Sequence, residues 1–515
     1  MRKIKRLSFV LAFLVAVVMF SSCGQKHKEY IPADSKVVGK IDIKEFFDQT
    51  GADRNKLMED MEEYLGKDVE KIKEMGLDVK DPIYIFGRGK GTNYTFGAVA
   101  KVDDKNKVKD WFADNVEIEI DKEGDGFEYF AEGNTGIGLN GDALVMIVCS
   151  SGDAKKDIKK IMGKEYDGDL GDNKLFDKVQ DANSFACLYA DLSIISEDIV
   201  KMLERQAPQM KESLDDMRKM IVGLDGNCSD GICDFSYWAE SEDEKVQKKI
   251  EESLATLNEI DEKAIETVPD DAIGGLVANI DGAKLSKQID KSLNEVKLLD
   301  ELPPEFKDLY NKFLGLLGDM KGNFAGYFVA PMDLMIAIES KGNTADKIAE
   351  LFNSLQEEFS SPSFAGAPDF ANDEETLSYE PTQFDDEEID DAAVDDYENY
   401  GFDSEFDSSS TFTIEKTADG YCGVDENGSK FWFGNKNGAL YFTSNESLIP
   451  SVFKKADKPV PSELVSFATS RKFMYFFSLG KVKDYTAAMD KEVKKVFNAF
   501  DEILSKVNYI TFSMK

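Results

Sequence analysis

The strongest constraint on this chain is an internal duplication. Ile31-Pro32-Ala33-Asp34, followed by Val37-Val38-Gly39-Lys40-Ile41-Asp42, returns as Val268-Pro269-Asp270-Asp271, followed by the run from Ile273 to Asp281. Each passage has an aliphatic-Pro opening, an Asp-bearing turn and an apolar strand closing on Ile-Asp before a helix. A repeat of that length sets the architecture of the whole chain. The copies stay in step, since 79 positions separate Pro32 from Trp111 and 82 separate Pro269 from Leu351. They then part: Phe112 to Gly136 is 24 positions, whereas Leu351 to Cys422 is 71.

Periodicity fills in the elements. The first copy reads as strand 36–43, helix 44–75, strands 82–86 and 94–102, and helix 108–115. A meander follows at 127–130, 135–139 and 143–149, then strand 185–192, helix 196–222 and a hairpin over 227–240. The second copy reads as strand 273–280, helical matter over 283–320 broken at Pro303-Pro304, strands 324–329 and 334–339, and helix 345–355. It continues with strands 411–415, 430–433, 439–443 and 472–479 and helices 482–489 and 491–506. Its final strand, 509–514, stands where 234–240 stood. The expected fold is α+β, two similar repeats (31–242 and 268–515), each a mostly antiparallel sheet with helices packed on it. A charged linking helix spans 243–267. The excess in copy two falls at about 360–410, where Asp385-Asp386-Glu387-Glu388 and Asp390-Asp391 sit amid Ser, Pro and Ala with no Lys or Arg. Such a block is expected to be disordered. Carboxylates suit calcium, but the Asp-x-Asp-x-Asp-Gly loop of an EF-hand is absent.

The N-terminus carries an address. Basic Met1-Arg2-Lys3-Ile4-Lys5-Arg6 precedes an apolar run over 7–20, too short to span a bilayer as a mature helix and of signal-peptide length. Phe20-Ser21-Ser22-Cys23-Gly24 resembles a bacterial lipobox, which makes 1–22 a lipoprotein signal peptide, Cys23 the lipidated residue and 23–30 a tether. Acyl chains at about 0.8 kcal/mol per buried methylene would anchor the chain stably. No acidic cluster follows Cys23, so the expected location is the periplasmic face of the outer membrane, with surface exposure as the alternative. The formal charge of −38 becomes −42 once the cations Arg2, Lys3, Lys5 and Arg6 leave with the signal. That field repels nucleic acid and anionic headgroups, so the expected membrane contact is the lipid alone.

The only histidine, His27, falls in the tether and reads as a solvated linker residue. No Ser-His-Asp or Cys-His apparatus and no His-ligated zinc site can then form in the folded part, and neither a metal nor a cofactor is expected. Cys228-Ser229-Asp230-Gly231-Ile232-Cys233 places an Asp-Gly turn between two cysteines, which sets Cys228 opposite Cys233 within disulfide range. Cys149 and Cys187, in apolar strands, read as small core residues. The loop Gly87-Arg88-Gly89-Lys90-Gly91-Thr92 lacks Walker spacing and precedes a strand, so it reads as a hairpin turn. Trp111, Trp238 and Trp432 lie in apolar periodic runs, and core roles are expected.

The lipobox, the Tyr30-Ile31-Pro32-Ala33-Asp34 opening and the second opening at Pro269 together resemble an uncharacterised family of Bacteroidetes lipoproteins, named only as a domain of unknown function. The resemblance implies a lipoprotein and a two-copy α+β build, and it brings no catalytic residue. The functional expectation is a lipid-anchored, non-catalytic envelope protein that binds a partner, an envelope protein or a glycan, or organises the envelope. The alternatives are a carboxylate-dependent, glycosidase-like hydrolase, which needs no histidine, and a glycan-binding module using its tryptophans. Neither the partner nor the oligomeric state is written in the residues.

Overall fold

A computed structural model of the protein describes residues 25–65, 75–77, 81–90, 93–150, 153–166, 168–206, 208–295, 304–329, 333–359, 413–425, 428–487, 494 and 497–514. The expected signal peptide 1–22, Cys23 and the insert expected at about 360–410 lie outside them. The chain runs through β1 (Val37–Ile41), α1 (Ile43–Thr50), α2 (Arg54–Leu65), β2 (Ile83–Lys90), β3 (Asn93–Lys101) and α3 (Lys105–Val116). It continues through β4 (Lys122–Glu123), β5 (Glu128–Glu132), β6 (Thr135–Leu139), β7 (Ala143–Cys149), α4 (Ala154–Met162), α5 (Lys174–Asp181) and β8 (Ala186–Asp191). Next come α6 (Glu197–Gln206), α7 (Lys211–Met217), the hairpin β9 (Met220–Ser229) and β10 (Ile232–Ser241), α8 (Glu244–Leu254), β11 (Leu257–Asn258) and α9 (Glu262–Glu266). The second half holds β12 (Gly274–Asp281), α10 (Gly282–Glu295), α11 (Pro304–Asp319), β13 (Met320–Val329), β14 (Asp333–Ser340), α12 (Thr344–Phe359), β15 (Thr413–Lys416) and β16 (Tyr421–Val424). It closes with β17 (Lys430–Lys436), β18 (Ala439–Thr443), α13 (Ser462–Ala468), β19 (Phe473–Ser478), α14 (Leu479–Ala487), α15 (Asp501–Leu504) and β20 (Tyr509–Met514).

Short side chains set the helix boundaries. Asp42 starts α1 by accepting the Glu45 N–H at 3.0 Å, and Asp104 starts α3 by accepting the N–H groups of Asn106 and Lys107. Gly51, at φ 66°, ends α1 in the left-handed conformation that glycine adopts without penalty, so the helix expected over 44–75 breaks there. The linking helix expected over 243–267 is also interrupted. β11 pairs with the far end of β12, and Asp261 then caps the new helix α9 through the Lys263 N–H. Pro304 opens α11, where a missing N–H costs nothing.

The twenty strands among the described residues belong to one sheet. From one edge the order is β4, β5, β6, β7, β3, β2, β1, β8, β9, β10, each pair antiparallel. β10 then meets β20 in parallel, and the order continues antiparallel through β19, β12, β13, β14, β18, β17, β16 and β15. β20 lies on β19 as β9 lies on β8, and the run 234–240, which the sequence sets in the place of 509–514, is its parallel neighbour.

One face of the sheet is covered along its length. In the first half α4 and α5 press Ile158, Ile161 and Val179 onto Phe86, Val99, Val145 and Ile147. In the second, α9 and α13 press Ile265, Leu464 and Ala468 onto Val277, Tyr327, Met474 and Phe476. Each large side chain taken from water here contributes about 1.5–3 kcal/mol. The expected tether joins this core. Gln25–Tyr30 is a 3-10 helix, Ile31 is fully buried, and the Tyr30 hydroxyl accepts from Asn140 Nδ2 at 2.6 Å. His27 is consequently drawn inside, its Nε2 2.9 Å from the Pro82 carbonyl and its ring 5.5 Å from Tyr84. A solvated linker through residue 30 is thus corrected: the apolar bodies of Tyr30 and Ile31 fold the segment onto the sheet.

Among the described residues, the opposite face is covered only at its margins. α3 seals the outer strands of the first half with Val108, Trp111 and Phe112, and α11 and α12 seal those of the second with Leu316 and Ile348. Phe46 of α1, Leu479 of α14 and Ile503 of α15 close the end near Cys228 and Cys233.

Candidate functional site

The residues singled out by sequence are mostly structural. Asp230 and Gly231 both have positive φ, as a two-residue type I′ hairpin turn requires. Cys228 and Cys233 face each other across that turn, Cα atoms 4.1 Å apart, and are joined by a disulfide. Cys149, Cys187 and Cys422 are free and buried. Burial pushes the Cys149 thiol up to about 11 and raises those of Cys187 and Cys422, which keeps them protonated and unreactive at neutral pH. Trp111 is buried under α3; Trp238 donates from Nε1 to Asp225 at 2.8 Å; Trp432 packs against the second core. The tryptophans do not converge.

Two cavities open among the described residues. A cavity of about 320 Å³ is lined by Lys40, Asp42, Glu45, Tyr84 and Asn183. Its charged groups are spent locally: Lys40 donates to the Ala182 carbonyl, Asp42 caps α1, and Glu45 accepts from Gln49 at 3.0 Å. Burial, and behind it Asp42 and Asp81, pushes the Tyr84 phenol up to about 12, so it stays neutral. A second cavity of about 460 Å³ lies where the halves meet, between Ser229, Asp230 and Ile232 of the hairpin tip and Ser462, Ser466 and Phe467 of α13. No group of three or more His, Cys, Asp or Glu side chains among the described residues could hold a metal.

The two faces of the sheet differ in chemistry. The covered face holds, within its apolar core, buried carboxylates with hydrogen-bond partners. Asp225 accepts from the Tyr189 hydroxyl at 2.6 Å and from Trp238. Asp234, at the parallel seam, accepts from Thr511 at 2.7 Å and Ser513 at 2.9 Å and pairs with Arg471 at 3.3 Å. The incompletely covered face carries apolar side chains instead. Strand register aligns Met146, Ala98, Ile85, Gly39, Leu188, Leu224 and Tyr237 across the first half. Beside it, Phe235, Phe512, Tyr475, Leu276, Gly326 and Ile336 continue across the seam into the second. No charged side chain interrupts either ladder, in a chain in which 31% of residues are charged. Three ladder members stand in solvent, Leu188 41%, Tyr237 48% and Phe512 44%, as do Phe96 48%, Val148 45% and Leu334 40% in neighbouring rows. Phe512 stacks on Phe235 with ring centroids 5.5 Å apart.

Single exposed apolar residues are ordinary, but a contiguous patch rimmed by polar surface marks a binding surface. Sequence reading missed it because it aligned the strands without asking what covers each side. The available signal was the absence of alternation in runs such as Phe473-Met474-Tyr475-Phe476-Phe477, which is apolar on both faces although only one is buried.

Residues 28–380 match the family described as Domain of unknown function (DUF4836). The chain belongs to this family. No curated protein and no solved structure matches it. The DUF4836 match begins inside the 3-10 helix at Gln25–Tyr30 and covers the first half and β12 through α12 of the second. No helix among the described residues is long and apolar enough to cross a membrane.

Proposed function

We propose that this DUF4836 chain is a non-catalytic, lipid-anchored envelope protein, built from two copies of one unit, that docks a partner on its open apolar sheet face. The observation that carries the docking role is the pair of uncharged ladders, one of them crossing the seam, with Leu188, Tyr237 and Phe512 each more than 40% exposed. Uncompensated apolar surface of that kind is unfavourable in water unless something binds there.

The two-copy reading draws support from strand order. Outward from β1 the neighbours are β2, β3, β7 and β6 on one side and β8 and β9 on the other. Outward from β12 they are β13, β14, β18 and β17, and β19 and β20. On this reading the stretch between α12 and β15, which holds the acidic run, is an insertion in the second copy. Lipidation at Cys23 and a place on the periplasmic face of the outer membrane rest on the lipobox; Cys23→Ala then moves the protein from the membrane to the soluble fraction. Unchanged fractionation would remove the anchor from the proposal.

A photo-crosslinking residue at Tyr237, compared with one at exposed Lys122 on the edge strand β4, tests docking in intact cells. A discrete adduct at Tyr237 alone is expected; equal labelling at both positions contradicts it. Glycan binding is the second reading, favoured by the aromatic members of the face, Tyr475, Phe512 and Tyr237. It fits less well, because sugar hydroxyls need hydrogen-bond partners and interior strands have none to spare.

A further inference from the structure

Resting on the docking reading, we infer that the occupant of the open face is the hydrocarbon chain of a lipid. The strands beneath it are interior strands whose N–H and C=O groups are paired with neighbours on both sides, so the floor offers a ligand no backbone hydrogen bonds. Its side chains offer dispersion and water exclusion, with the phenols of Tyr237 and Tyr475 as the polar handles. A folded protein partner presents polar groups over much of any surface patch, and these would be desolvated against this floor without repayment. Charge argues the same way. The chain carries −38 overall, yet the ladders carry none, so the match is to an uncharged chain rather than to an acidic or basic surface.

The shape also suits an extended chain. Gly39 and Gly87 sit in the first half of the face and Gly326 in the second. The Leu188 side chain lies over Gly39 and the Phe96 ring over Gly87, so the surface on which a flexible chain would lie is apolar there too. One side of such a chain is buried and the other left in water, so each methylene gains about half the 0.8 kcal/mol of full burial, a factor of about two in affinity.

The test uses the mature chain carrying Cys23→Ala, so that its own acyl groups cannot compete, and titrates it with lysophosphatidylcholine below its micelle concentration. Saturable binding of the 16-carbon lipid is expected, about 16-fold weaker for the 12-carbon homologue. Exchanging the choline headgroup for glycerol should change affinity less than threefold. Leu188→Asp and Phe512→Asp should each weaken binding at least tenfold while the melting midpoint stays unchanged. Absence of saturable binding, or affinity indifferent to chain length and to both substitutions, overturns the inference. If the lipid fails to bind while Tyr237 still crosslinks to a discrete protein in cells, the lipid assignment falls and docking stands. If both fail, both fall.

Discussion

The covered and open faces of this sheet are made by alternate residues of the same strands, and both are largely apolar although only one is covered along its length. Asp225 and Asp234 lie on the covered side, hydrogen-bonded through both carboxylate oxygens, while Leu188, Tyr237 and Phe512 look outward. The comparison teaches that a buried polar residue and an exposed apolar one have separate causes. A buried carboxylate persists where fixed partners replace water. An exposed apolar strip has no such compensation among the described residues.

The largest effects should come from breaking the covered face. Asp234→Ala leaves Arg471 as an unpaired buried cation at the seam and should lower unfolding free energy by about 3–5 kcal/mol in urea titrations. Phe476→Ala, at a position with no solvent exposure, opens a cavity and should cost about 3–5 kcal/mol. Either variant melting like the parent would mean that the seam and core are not where stability resides.

Removing the Cys228–Cys233 bridge should cost less. It closes a short loop already zipped by the Asp230-Gly231 turn, so Cys228→Ser with Cys233→Ser should lose about 2 kcal/mol. Acid should act on the margins of the open face. Hydrogen bonds from Lys341 and Lys347 hold Asp319, at the end of α11, below its ordinary value of 3.8. The Asp53 N–H and Lys56 hold Glu502 in α15 below 4.5. Both carboxylates are depressed in the folded state, so their contribution is complete above those ordinary values and is lost as pH falls through the folded ones. Hydrogen exchange at α11 and α15 should therefore accelerate below about pH 4 before the strands of the covered face respond. The smallest stability effect belongs to the open face: Leu188→Ser and Phe512→Ser should stay within about 0.5 kcal/mol of the parent, since neither packs against a covering element. A loss comparable to that of Phe476→Ala would show that the face is covered after all.

Much of this was legible in the residues. Alternation located most of the strands, the Asp-Gly pair fixed the hairpin register of Cys228 and Cys233, and helical spacing marked Trp111 as core. What escaped depends on distant partners. Asp234 is a polar residue in a strand until Thr511, 277 positions away, supplies its hydrogen bond. His27 reads as linker until Tyr30 and Ile31 are seen to draw it under Pro82. The open face escaped because periodicity groups residues by side and is silent about what lies above them.

The most direct measurement is fluorescence of the apolar reporter N-phenyl-1-naphthylamine with the mature Cys23→Ala protein, with and without Leu188→Asp and Phe512→Asp together. The account predicts a bright, saturable signal on the native parent that is abolished in the double variant at an unchanged melting midpoint. A parent that stays dark, or a double variant equally bright, would contradict the claim that this face is a binding surface.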